Sequence, residues 1–318
     1  MALSCLAAAA LFAPTVGTLV AAWSESRTYA HGFLVIPGTL YLVWCYRDRI
    51  ALPAPRPWGW IAAAVPSGMW LTGRIQHNVT LEQVSVLATI PCLVYCVWGE
   101  AVFRQLLLPL GFLVFALPVG ASLEPWLQEI TTDFLAFSLQ AADIPFHREG
   151  YFITLPSGQW EVAVDCGGLR YLLPGMALGY LYAAVVYRRP LPRILFLSLC
   201  AVLLTLANGL RAYAILVADY LGFADGTDHR VFSYLVYGVT IIVLAWVGHR
   251  WSPPAHAVSE PDAIGSRPLV RAAVMNAVAA TGLLALAPLI VWMMAAGKEV
   301  VTQGTAELDH SVSDVARP

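Results

Sequence analysis

The chain has 318 residues, 59% of them hydrophobic and only 12% charged. Soluble domains carry about twice that charged fraction, so an ordinary soluble domain is set aside. The net charge of −2 comes with no basic patch, which argues against a nucleic-acid partner.

Long apolar runs separated by short polar breaks predict an all-α integral membrane protein, a polytopic helical bundle in the lipid bilayer. About nine spans are expected, over 4–22, 32–46, 58–73, 84–99, 106–120, 166–187, 194–218, 231–248 and 270–296. The run 4–22 has no positive charge before it and no convincing cleavage site after it, so it is read as a span rather than a signal peptide. Residues 1–296 are therefore expected to form one transmembrane domain. Residues 297–318 are polar and are expected to be a disordered extracytoplasmic tail.

Positive charge sets the orientation. Arg47, Arg49, Arg56 and Arg104 fall in alternate loops, as do the dense cluster Arg188, Arg189 and Arg193 and then Arg250, Arg267 and Arg271. With the N-terminus inside, all of these lie on the cytoplasmic side. The opposite loops are acidic, from Glu124 and Glu129 through to Asp225 and Asp228.

The largest extracytoplasmic insertion is about 121–165. Its first half spaces Leu123, Trp126, Leu127, Ile130, Phe134, Leu135 and Phe137 as one face of a helix, expected to lie along the membrane surface. Its second half, "REGYFITLPSGQWEVAV", alternates as strands around Pro156-Ser157-Gly158 and predicts a hairpin that delivers the chain to Asp165 and Cys166.

Helical arithmetic then places three reactive groups at one depth. Cys166 lies 22 residues from Arg188, and Arg211 lies 18 from Arg193; at 1.5 Å per residue these are about 33 and 27 Å, close to a hydrocarbon core. His229 opens the span that runs inward to Arg250. A thiol, a guanidinium and an imidazole at one depth form a coherent set. The thiolate is a nucleophile, the imidazole takes its proton, and the guanidinium steadies a developing oxyanion. Gly167 and Gly168 leave room for a substrate backbone, and a helix beginning here would aim its positive end at the sulfur. Asn208 is one turn from Arg211, placed to hydrogen-bond to it or to a substrate carbonyl. Asp228 stands next to His229 to orient it, and His31 is a further polar group at the outer edge. Cys5, Cys45, Cys92, Cys96 and Cys200 fit the usual role of small apolar core residues. Cys92 and Cys96 lack a neighbouring His or carboxylate cluster, so no metal site is expected, and the chemistry calls for no organic cofactor.

The stretches "REGYFITLPSGQWEVAVDCGGLRYLLPGMALGYLYA", "LANGLRAYAILVADYLG" and "DHRVFSYLVYGV", with "AHGFLVIPGTLYLVWCYR" before them, resemble the exosortase/archaeosortase family, most of all its exosortase A branch. That resemblance covers most of 23–250. It implies a membrane cysteine transpeptidase or protease of the bacterial inner membrane. Such a protein would act on partners that end in a Pro-Glu-Pro motif, a transmembrane helix and a basic cluster, and would be linked to exopolysaccharide loci. The family's Cys, Arg and His fall on Cys166, Arg211 and His229, and the arginine of its "CSGLR" pattern on Arg170. The sequence departs from that pattern at Gly167, where Ser is usual, and at Asp165, where Ala is common. The competing expectation is a transporter or assembly subunit for exopolysaccharide, in which Arg211 binds an anionic substrate.

Overall fold

The computed structural model describes residues 7–8, 10–50, 53–222 and 229–251, together with Asn276, Ala280 and Leu284. Six helices come first: α1 (Ala13–Glu25), α2 (Gly32–Tyr46), α3 (Ala64–Ile75), α4 (Val79–Trp98), α5 (Glu100–Gly111) and α6 (Glu124–Ala141). A small sheet of β1 (His147–Glu149), β2 (Phe152–Leu155) and β3 (Gly158–Glu161) follows. Helices α7 (Leu169–Val186), α8 (Pro190–Tyr220) and α9 (His229–Arg250) complete the described fold.

Among the described residues, four helices are long and apolar enough to cross a membrane: Val79–Trp98, Leu169–Val186, Pro190–Tyr220 and Phe232–Arg250. A fifth is added if the bent pair Glu100–Ala116 and Ala121–Ala141 counts as one span. The expected nine are thus not all seen as full-length helices, and the causes are local. The run 58–73 divides into a 3₁₀ turn, Gly59–Ala63, and the 12-residue α3. The run 106–120 divides because α5 gives way to a 3₁₀ turn at Phe112–Ala116. Pro118, which lacks an amide hydrogen, and Gly120, at φ 112°, then turn the chain. Helix α2 matches the expected 32–46 but has only 15 residues. The run 270–296, apart from three buried residues, and the tail 297–318 lie outside the described residues.

The chain divides into two compact units. The first comprises Met1–Val20, Arg49–Leu110 and Pro261–Pro318. Within it Glu82, nearly fully buried, accepts a hydrogen bond from Thr15 Oγ1 at 2.9 Å and faces Arg74 at 3.5 Å. A carboxylate placed in a span needs such partners. The second unit comprises Ala21–Asp48 and Gly111–Glu260 and holds every candidate site residue.

In the second unit α7 and α8 pack through small residues. Gly175 and Gly179 share one face of α7; a Cβ on Gly175 would stand 2.5 Å from Leu204, and one on Gly179 would stand 2.8 Å from the Cys200 sulfur. Backbones that close gain dispersion contacts that lipid tails do not replace. Tyr187, Phe196, Cys200, Leu204, Ala207, Tyr237 and Leu244 extend this contact to α9 as one apolar cluster. The ends of these helices remote from Cys166 are tied by polar bonds. Arg193 Nε donates to the Tyr187 carbonyl at 2.7 Å and its Nη2 to the Tyr46 hydroxyl at 3.2 Å, while the Tyr187 hydroxyl donates to the Gly248 carbonyl at 3.0 Å.

The insertion folds as α6 and an antiparallel meander. The expected hairpin is β2–β3, joined at Pro156-Ser157, with Ile153 opposite Trp160 and Leu155 opposite Gly158. The third strand, β1, pairs Arg148 with Ile153 and was not foreseen. Ile153 and Leu155 point inward, and with Val162 they pack on Leu135 and Leu139 of α6 and Leu216 of α8. The buried face of α6 differs from the expected apolar stripe. It carries Leu127, Gln128, Thr131, Thr132, Leu135 and Leu139, whereas Trp126 is 63% and Phe137 72% exposed. The polar members can be buried because each is bonded. Thr131 and Thr132 donate to the carbonyls one turn back, and Gln128 donates to Val162. On the exposed face Arg148 holds both Glu129 and Asp133 at 2.6 Å, fastening the sheet to the helix.

Candidate active site

Cys166 closes a 3₁₀ turn, Val164–Cys166, that links the meander to α7. Its amide donates to the Ala163 carbonyl at 2.8 Å, and the Gly167 amide donates to the Val164 carbonyl at 2.9 Å. Gly168 follows at φ 96°, a conformation that L side chains resist, and α7 starts at Leu169. Strand exit, tight turn and helix start therefore hold the cysteine at the mouth of α7.

Asn208 of α8 locks this loop. It is 2% exposed, and its Nδ2 donates to the Cys166 carbonyl at 2.7 Å and to Thr131 Oγ1 at 3.0 Å. Its Oδ1 accepts from the Tyr237 hydroxyl at 3.1 Å. Both amide hydrogens and the oxygen are engaged, so its partners are α6, the Cys166 loop and α9 rather than Arg211. The space beside the two glycines is also taken by the protein. A Cβ on Gly168 would stand 2.5 Å from Asn208, and one on Gly167 would stand 3.1 Å from the Gln128 nitrogen. The expected room for a substrate backbone is filled by these contacts.

Asn208 lies 18 residues into α8, about 27 Å, and it meets the residues that open α7. Arg211 lies one turn further on. It is 7% exposed, its Nε donates to Ser233 Oγ at 2.6 Å, and its guanidinium stands 5.4 Å from the Tyr171 ring. Among the described residues its Nη1 is buried without a hydrogen-bond partner. Tyr171 stacks on Tyr237 with centroids 4.1 Å apart, so Arg211, Tyr171, Tyr237 and Asn208 form one connected group. The Cys166 side chain is half-buried and packs with Ala212 and Tyr213 against the cluster of α6 and the sheet.

His229 is the first residue of α9, one turn before Ser233. Its side chain, that of Asp165 and all of Asp228 lie outside the described residues. Arg170 Nη2 donates to the Tyr171 hydroxyl at 3.2 Å. His31 occupies the N-cap position of α2 without a side-chain cap bond, its Nδ1 instead 3.1 Å from the Thr28 carbonyl. Burial lowers its pKa below the ordinary 6.5, against an opposing pull from the Thr28 and Phe115 carbonyls. Among the described residues no three His, Cys, Asp or Glu side chains gather as a metal site would require.

Several contributors were not singled out from sequence. Thr131 and Gln128 sit in a helix whose apolar stripe drew attention elsewhere, and Tyr171 and Tyr237 are aromatic residues in lipid-like runs. Ser233 follows His229 by one turn, a spacing that was available as a signal. Arg27 lies with Glu25 in the short segment between the first two expected spans.

These features define a class first: a multi-pass membrane protein that presents a cysteine on a braced loop at a helix mouth, with a buried arginine on the next helix. Residues 23–246 match the transmembrane exosortases, and the chain belongs to that family. Neither a curated protein nor a solved structure matches it. Membership carries, at the level of the family, a membrane cysteine transpeptidase role.

Proposed function

We propose that this chain is an exosortase of the A branch, spanning the bacterial inner membrane about nine times. It cleaves Pro-Glu-Pro-type C-terminal sorting tails of membrane-anchored proteins at the extracytoplasmic face, in the service of exopolysaccharide-associated sorting. The Cys166 thiolate attacks the carbonyl carbon of the cleaved peptide bond. The C–N bond breaks, a thioester forms, and the leaving amine takes the proton that His229 removed from the thiol. An amine or water then attacks the thioester and releases the sulfur. Arg211 donates to the oxyanion of both tetrahedral intermediates. Asp228 orients His229, and Asn208 positions Cys166 by holding its carbonyl.

The observation that supports this most is Arg211. A buried guanidinium whose Nη1 has no partner among the described residues, one turn from the Asn208 clamp on the same helix, is a costly arrangement in a span. A donor awaiting a transient oxyanion accounts for it. The test is a thiol-reactive mimic of the sorting tail, applied to the full-length protein in membranes. Adduct formation at Cys166 that falls at least tenfold in His229→Ala is expected. Equal labelling with and without His229, or labelling at other cysteines instead, would favour the transporter or assembly subunit.

A further inference from the structure

A cavity of about 450 Å³ is lined by Arg27, Arg170, Tyr171, Ser233 and Tyr234. Its charged lining among the described residues is Arg27 and Arg170. Among the described residues neither of its arginines enters an ion pair, nor does Arg211. Arg170 commits a donor to the Tyr171 hydroxyl at 3.2 Å, one of the five a guanidinium offers. Arg211 meets two of the cavity's walls, Ser233 through Nε and Tyr171 through its ring. Guanidinium groups arranged around one space repel one another, and an entering anion relieves that cost. Both guanidinium forks match a planar carboxylate, which accepts paired N–H donors. Tyr171 and Tyr234 add apolar surface for the methylenes behind such a group. The volume suits one side chain with its adjoining backbone.

We propose that this cavity is a carboxylate subsite, in which Arg27 and Arg170 hold an acidic side chain of the bound peptide close to the cleaved bond. The proposal rests on the peptide-processing function above and assigns its charge preference to two residues outside the Cys–Arg–His set. Arg27 is the exposed member and Arg170 the half-buried one, so Arg27 should dominate capture and show the larger salt dependence.

The experiment separates binding from chemistry. Full-length protein carrying Cys166→Ala is placed in phosphatidylcholine nanodiscs and titrated with two fluorescent peptides that differ only as Pro-Glu-Pro and Pro-Gln-Pro. The acidic peptide should bind about ten- to a hundredfold more tightly, the range for charge-assisted hydrogen bonds. Arg27→Gln with Arg170→Gln should bring affinity for the acidic peptide down to that for the amide peptide, and an unchanged thermal midpoint in the nanodiscs reports an intact fold. Equal affinity for the two peptides, no binding of either, or an acid preference that survives in the double variant would overturn the subsite. Repeating the titration with phosphatidylglycerol present tests the other source of an anion. Arginine-dependent retention of that lipid without any Glu preference would make the cavity a headgroup site and overturn the proposal. Cleavage by the Cys166-intact protein is scored separately. Glu preference without cleavage supports the subsite against the peptidase function, and cleavage without preference refutes the subsite alone.

Discussion

Asn208 shows how much one side chain carries. Its amide supplies two donors that a carboxylate cannot supply, one to the Cys166 carbonyl and one to Thr131. Asn208→Asp keeps the shape but leaves both acceptors unpaired and places an acid at a 2% exposed position. The expected loss is about 2 kcal/mol or more of stability, together with at least a tenfold fall in tail processing. The thermal midpoint in detergent and the ratio of trimmed to intact substrate measure the two. Cys166→Ser separates chemistry from architecture. The alcohol is far harder to ionise than the thiol, so processing should vanish while protein level and insertion stay near normal. Cys200→Ser is the control, since Cys200 is buried against Gly179. Full processing by a stable Cys166→Ser protein would remove this residue as the nucleophile.

At the scale of elements, what could be read beforehand depended on whether an interaction was local. Helices α2, α7 and α8 were legible because an apolar run fixes a helix with no reference to its partners. The β2–β3 hairpin was legible from alternation around Pro156-Ser157. Strand β1 was not, because "HRE" has no apolar period; it is held by pairing to β2 and by the grip of Arg148 on Glu129 and Asp133. The packed face of α6 was shifted for a related reason. Sequence hydrophobicity ranks Trp126 and Phe137 above Thr131 and Gln128, and only tertiary hydrogen bonds reverse that order. The clamp on Cys166 was likewise invisible, since residues 42 apart meet there. The turn into α2 yields a pH prediction. His31 has a folded pKa below 6.5, with burial the chief cause. Between that lowered value and 6.5 the unfolded chain binds more protons, so stability rises with pH through this window and the penalty is fully present below it. Acidification below about 6.5 should therefore lower the thermal midpoint of the wild-type protein, and His31→Gln should flatten that part of the profile. An unchanged slope in the variant would assign the effect to other groups.

For the whole molecule, everything proposed about the substrate depends on which side of the membrane the Cys166 loop faces. Arginine is dense at 188–193 and sparse in 121–165 and 219–230, and the orientation proposed here follows from that bias by the positive-inside rule. The fold puts 121–165 and 188–193 at opposite ends of α7: Cys166 precedes Leu169, while Arg193 ties Tyr187 and Tyr46 beyond Val186. The 18 residues of α7 rise about 27 Å, nearly a full hydrocarbon core. Arg27 runs against the charge rule, because the same numbering puts it outside, and as a wall of the cavity it has a reason to be there. Single cysteines introduced into a variant lacking the native ones, at exposed Gln159 in the meander and at Arg189 between α7 and α8, test the orientation. A membrane-impermeant maleimide applied to intact spheroplasts should label position 159 and spare 189 until the membrane is opened. Labelling of 189 from outside, with 159 protected, would turn the molecule over. The Cys166 loop would then face the cytoplasm, and a sorting tail presented at the outer face would never reach it.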